Sequence, residues 1–187
     1  MTALTILDHP FAQGMRRITV IQGQALASGD PQVEFNTVLG SCVATCLFDP
    51  RARIGGMNHF LLAEPAHTNT PGRVDEHFGA FLMELLINQM LAQGASKQRM
   101  RARLFGGANM SARFARIGSA NARFAREVLT REGIELVDAD LEGSSARRVR
   151  FRPESGLVRC TKTEAAEAPS VTPQVPQSSA RGDVELF

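Results

Sequence analysis

Val43-Ala44-Thr45-Cys46-Leu47-Phe48-Asp49-Pro50 is the stretch on which the fold turns. Residues 43–48 carry no charge and are apolar on both faces, a pattern that reads as a strand buried on both sides. Asp49-Pro50 ends it, because proline has no amide to give a ladder and holds the residue before it extended. Just upstream, Leu39-Gly40-Ser41-Cys42 sets a small-residue turn and a thiol at the strand's entrance. Just downstream, Gly55-Gly56-Met57-Asn58-His59-Phe60 brings an imidazole 17 residues after Cys42.

These two residue types suit nucleophilic chemistry. Gly40 permits a tight turn that leaves the amides around Ser41 and Cys42 open to a substrate, and open amides can hold an oxyanion. An imidazole that takes the thiol's proton leaves a thiolate–imidazolium pair able to attack acyl carbons. Spacing alone does not separate this reading from two unrelated packing residues, since cysteine is among the most buried residue types.

A wider set of blocks does separate them. The run Thr37 to Pro50 and Gly55 to Leu62 are followed in order by Gly72-Arg73, Phe81-Leu82-Met83-Glu84-Leu85-Leu86-Ile87 and Phe105-Gly106-Gly107-Ala108-Asn109-Met110. Ile117-Gly118-Ser119-Ala120-Asn121 and Arg148-Val149-Arg150-Phe151 with Ser155-Gly156 complete the series. Over roughly residues 15 to 162 the chain resembles the CheD family of chemoreceptor glutamine deamidases, and several blocks in one order are more specific than any single motif. The resemblance implies a cysteine hydrolase that converts receptor glutamine to glutamate through a thioester. In it Cys42 is the nucleophile and His59 the base, and no metal or organic cofactor takes part. It also implies chemotaxis receptors as substrate and a CheC-type phosphatase as a second partner.

The third member of the site is open at this level. The resemblance places a threonine six residues before the cysteine, where this chain has Asn36, with Thr37 one step nearer. Either can bond an imidazole nitrogen, and asparagine there resembles Cys-His-Asn sites. Even spacing along an extended chain puts Asn36 on the side of Cys42, which favours Asn36 unless Gly40 resets the alternation. Cys46 lies roughly 13 Å along the strand from Cys42, too far for a disulfide, and reads as core; Cys160 reads likewise. His9, His67 and His77 read as exposed.

Working outward, Arg16 to Ile21 reads as a strand from its β-branched content, and Gly29-Asp30-Pro31 as a turn. Phe78, Phe81, Leu82, Leu85, Leu86 and Met90 recur at helical spacing, with Asp75 as N-cap and Gly94 past the end, so this stripe is expected in the core. Strands at Arg101–Phe105 and Ile134–Val137, a helix from Ser119 to Glu132 stopped by Gly133, and a hairpin of Val149–Phe151 with Leu157–Cys160 follow. Gly106-Gly107 lacks the lysine of a phosphate loop and reads as a strand-to-helix turn. The expected fold is α+β: a layered, sandwich-like mixed β core with helices packed on it, in a single domain over residues 1–162. Residues 163–187, rich in Pro, Ser and Ala, are expected to form a flexible tail, whose terminal Leu186-Phe187 could dock on a partner.

Charge and cysteine content narrow the function classes. The formal net charge is +2, yet Lys97 to Arg152 holds thirteen basic residues against six acidic ones. A positive field there would suit an acidic receptor helix. The alternative is that Arg99, Arg101, Arg103 and the arginines after Gly143 alternate along solvent faces. No segment has the length and apolarity to cross a bilayer, and an odd count of three cysteines suits a reducing compartment, so the expectation is a cytoplasmic protein. A zinc-stabilised nucleic-acid binder built on Cys42, Cys46, His59 and His67 is disfavoured by spacing, and a non-catalytic chemotaxis adaptor is the other alternative.

Overall fold

The computed structural model describes residues 14–62, 77–109 and 115–163. Nine strands occur there: β1 (Arg16–Thr19), β2 (Gln24–Ser28), β3 (Val33–Leu39), β4 (Val43–Asp49), β5 (Ile54–Phe60), β6 (Arg101–Gly106), β7 (Glu135–Leu141), β8 (Ala146–Arg152) and β9 (Leu157–Thr163). Helices α1 (His77–Ala92) and α2 (Ala115–Glu132) flank a short 3-10 turn at Lys97–Arg99. Asp75, His9, His67 and residues 164–187 lie outside the described residues, and Thr163, read as the start of the tail, closes β9.

The strands form two sheets, as a sandwich-like β core requires. One has the order β1-β3-β8-β9 and the other β2-β5-β4-β6-β7. Each is mixed: β1 runs parallel to β3 and β6 parallel to β7, and the remaining pairs are antiparallel. The α+β layered reading therefore holds, in the order sheet, sheet, helices.

Every residue of β4 is buried, because the strand has cover on both faces. Ala44, Cys46 and Phe48 join Val33, Phe35, Leu39, Met57, Val149 and Phe151 in the core between the sheets. Val43 and Leu47 turn the other way, toward Phe60, Leu82, Met83, Leu86, Met90 and Val128 beneath the helices. Burying each such side chain is worth about 1.5–3 kcal/mol, so the strand ties both cores together.

The glycine pair of β5 is what allows three layers to close. A Cβ on Gly55 would meet the Pro153 carbonyl oxygen at 2.4 Å, on the side of the β8–β9 hairpin, and one on Gly56 would meet Leu86 Cδ1 at 2.5 Å, on the side of α1. One glycine admits each neighbouring layer. That packing role outweighs the low strand propensity of Gly-Gly, which had left β5 unread as a strand.

Three further sequence expectations are corrected. Phe78 and Phe81 are 44% and 56% exposed, so the stripe of α1 is core only through Leu82, Met83, Leu86, Ile87 and Met90. The helix packs over β5 and the edge strand β2, with no strand beyond β2 to cover the two rings. Second, the arginines are not a free positive face. Arg99 sits in the 3-10 turn and binds Asp49, Arg101 meets Glu135, Arg103 meets Asp138, and Arg150 meets Glu34. Arg147 is 2% exposed and donates to Asp140 and to the Glu142 and Ser145 carbonyls. Third, Cys160 is half-buried beside Asp140 at the edge of the inter-sheet core, whereas Cys46 is fully buried as expected.

Candidate active site

The site lies where β1, β3 and β5 and the start of β4 converge at one end of the inter-sheet core. In the β4–β5 ladder Ala44 faces His59. Cys42, two residues before Ala44, therefore shares the face of His59 as its diagonal neighbour. Val20, Gln22, Thr37, Val38, Cys42 and His59 line a cavity of about 560 Å³ there, with Asn36 at its wall.

Backbone bonds fix the turn carrying the thiol. The Cys42 carbonyl accepts from the Gly107 amide at 2.7 Å, and the Gly40 carbonyl from Ala108 at 2.8 Å. Asn121, fully buried on α2, donates from Nδ2 to the Ser41 carbonyl at 2.8 Å and accepts the Leu62 amide at 2.8 Å. With those carbonyls taken, the Ser41 and Cys42 amides donate to no backbone carbonyl among the described residues. Two open amides beside a thiol suit an oxyanion. Gly106-Gly107, read as a strand-to-helix turn, leaves the end of β6 and links it to the thiol's turn.

The imidazole is held in one tautomer. Thr37 Oγ1 donates its only hydrogen to the Val20 carbonyl at 2.8 Å, so toward His59 Nδ1, 2.9 Å away, it can only accept. The Val20 carbonyl, 3.3 Å from the same nitrogen, is likewise an acceptor. Nδ1 therefore carries the hydrogen, and Nε2 presents a bare lone pair. Nε2 is buried and has no partner among the described residues. A buried unpaired acceptor beside a thiol is arranged to take a proton.

Thr37, not Asn36, is therefore the residue on the imidazole. Asn36 turns its Oδ1 to accept from Thr19 Oγ1 at 3.1 Å. Along β3, Val33, Phe35 and Leu39 point into the inter-sheet core, and Thr37 belongs to that row. The even-spacing argument failed because β3 and β4 belong to different sheets and the Gly40-Ser41 turn between them resets the alternation.

Protonation differs from the ion pair expected for such residues. Burial pushes the Cys42 thiol up to about 11, its own amide offsetting only part of this. Burial lowers His59, and the bond to the Val20 carbonyl only partly opposes it. Both directions favour a neutral imidazole and a protonated thiol, and the thiol sulfur donates to Gln22 Oε1 at 3.6 Å. Gln22 and Asn121 were not read as site residues. Asn121 stood within a block shared with the family, and Gln22 gave no signal. His77 is exposed, as expected.

Fold and site together define a two-sheet protein with a Cys-His-Thr constellation set in a cavity at one end of its sheet interface. Among known proteins, residues 61–162 match the family described as CheD chemotactic sensory transduction. The chain is 48% identical over 92% of its length to a probable chemoreceptor glutamine deamidase CheD of Zymomonas mobilis, covering 93% of that protein. It is 44% identical to one of Caulobacter sp. strain K31, over 91% of this chain and 93% of that one. A relative of the same name from Rhizobium meliloti is 44% identical, over 92% of this chain and 96% of the other. The chain belongs to the CheD family. No helix among the described residues is long and apolar enough to cross a membrane.

Proposed function

We propose that the protein is a chemoreceptor glutamine deamidase with Cys42 as nucleophile. The observation that carries this reading is the tautomer-fixed His59, whose unpartnered Nε2 shares a cavity with the thiol. The names of the relatives support the substrate class.

Because thiol and imidazole are both neutral at rest, proton transfer accompanies attack. His59 Nε2 takes the thiol proton as Cys42 Sγ bonds the carboxamide carbon of a receptor glutamine. The oxygen becomes an oxyanion facing the Ser41 and Cys42 amides. The imidazolium is held through Nδ1 by Thr37 and the Val20 carbonyl, and it returns its proton to the nitrogen. The C–N bond breaks, ammonia leaves, and a γ-glutamyl thioester remains. His59 then takes a proton from water, hydroxide adds to the thioester, the C–S bond breaks as the imidazolium returns that proton to sulfur, and glutamate forms while thiol and imidazole are restored. The chain's own residues account for every proton moved.

A cytoplasmic location goes with a receptor's cytoplasmic portion as substrate in this reading, and a CheC-type phosphatase belongs to it as a partner implied by family resemblance. Thr37 on Nδ1 supports the catalytic reading over a non-catalytic adaptor. The test is mass spectrometry of a chemoreceptor cytoplasmic fragment incubated with wild type, Cys42→Ala or His59→Ala. Glutamine-to-glutamate conversion lost in both variants is the expected result. No conversion by folded wild type of any matched receptor would overturn it.

A further inference from the structure

The thiol proton has two acceptors within the cavity wall, and at rest it is committed to the wrong one for chemistry. Cys42 Sγ donates to the carboxamide oxygen of Gln22, while His59 Nε2, buried and 7% exposed as a residue, has no partner among the described residues. Gln22 belongs to the short link between β1 and β2, whose backbone is pinned on every side. The Val20 amide donates to the Asn36 carbonyl at 2.9 Å and the Gly23 amide to the His59 carbonyl at 2.8 Å, while the Ile21 amide donates to Gln24 Oε1 at 3.2 Å. The Val20 carbonyl, in the same link, receives Thr37. The Gln22 side chain is thus a solvent-exposed arm on a fixed base, resting its carboxamide on the nucleophile.

A primary carboxamide on that thiol is the functional group of the proposed substrate, supplied by the chain itself. We propose that Gln22 is an intramolecular latch: its carboxamide occupies the thiol until a substrate glutamine displaces it, and displacement frees the S–H to turn to His59 Nε2. This rests on the deamidase reading of the same site and adds a control on its nucleophile. The latch needs no conformational change beyond rotation of one exposed side chain, and it keeps the thiol protonated when no carboxamide is bound. Gln22 acts through Cys42 and is a positioning residue.

The test is the alkylation rate of Cys42 by iodoacetamide without any receptor, followed by peptide mass spectrometry so that Cys46 and Cys160 are scored separately, from pH 6 to 10. Gln22→Ala is expected to alkylate about two- to tenfold faster than wild type at neutral pH, the change equivalent to one ordinary hydrogen bond. Gln22→Glu is expected to alkylate more slowly, because a carboxylate beside the sulfur disfavours thiolate, and the two pH profiles should move in opposite directions. A merely structural role would not give opposite signs. Equal rates and profiles in wild type and both variants would overturn the latch. Receptor deamidation by His59→Ala distinguishes the failures: lost glutamine-to-glutamate conversion there leaves the Cys-His pair standing, and unchanged conversion removes the reading on which the latch rests.

Discussion

The two ends of β4 treat their ionisable groups in opposite ways. At the far end, Asp49 accepts from Arg99 Nε and Nη2 at 3.2 and 2.8 Å, and from the amides of Arg51, Ala52 and Ser96 at 3.0, 3.1 and 2.8 Å. Burial works to raise this carboxyl, but the Arg99 guanidinium and three amides outweigh it and hold it at about 2. At the near end, burial pushes Cys42 up to about 11, and His59 Nε2 in the same cavity has no partner among the described residues. Opposite ends of one strand thus meet a matched carboxylate that fastens the 3-10 turn to the sheet and a thiol in the same cavity as the bare imidazole nitrogen of β5. An unpaired imidazole nitrogen in the same cavity as a thiol marks a candidate site of chemistry.

The comparison breaks if the near end proves to be structural. Cys42→Ala should reduce deamidation to background and His59→Ala should lower it by about 10²–10⁴-fold, with stability changed by no more than about 1 kcal/mol in either. Receptor mass spectrometry and urea melts check this together, and variants that unfold would erase the contrast.

At the far end, Asp49→Asn should lower stability by about 2–3 kcal/mol, read as a lower urea midpoint at constant slope. Cys42 alkylation should not change. The folded carboxyl lies below its unfolded value, so its contribution is present above about 3.8 and is lost as pH falls through about 2. Stability of wild type and variant should therefore converge near the acid end of that window.

Two smaller effects sharpen the near end. Thr37→Val should lower kcat by about 10- to 100-fold with KM little changed, because the imidazolium loses its Nδ1 acceptor, while Asn36→Ala should stay within about twofold. The wild-type alkylation rate of Cys42 should rise about tenfold per pH unit from 7 to 10, the sign required by a thiol pushed up to about 11. A plateau reached near neutrality would instead indicate a preformed ion pair.

Much of this was legible in the chain. The uninterrupted apolar run of β4, the helical spacing of α1, the glycine stops after both helices and the β8–β9 hairpin were read from local pattern alone. The strand β5 was not, since Ile54-Gly55-Gly56 has turn-like propensity and its glycines answer to contacts with Pro153 and Leu86 from two other layers. Nor was β2, which contributes only five residues at a sheet edge. The arginine run looked like a field, but its partners Asp49, Glu34 and Asp140 come from distant strands or from the other sheet.

By itself the sequence determined the thiol and imidazole, the buried strand that carries one of them, and the layered α+β class, because these follow from residue type and short-range periodicity. The tertiary structure decided that Thr37 and not Asn36 holds the imidazole, that Nε2 is the bare nitrogen, and that Gln22 rests on the sulfur. Those are relations between β3, β5 and the β1–β2 link, which belong to two different sheets. No parity count along one chain segment can fix the facing of residues once the chain has crossed from one sheet to the other.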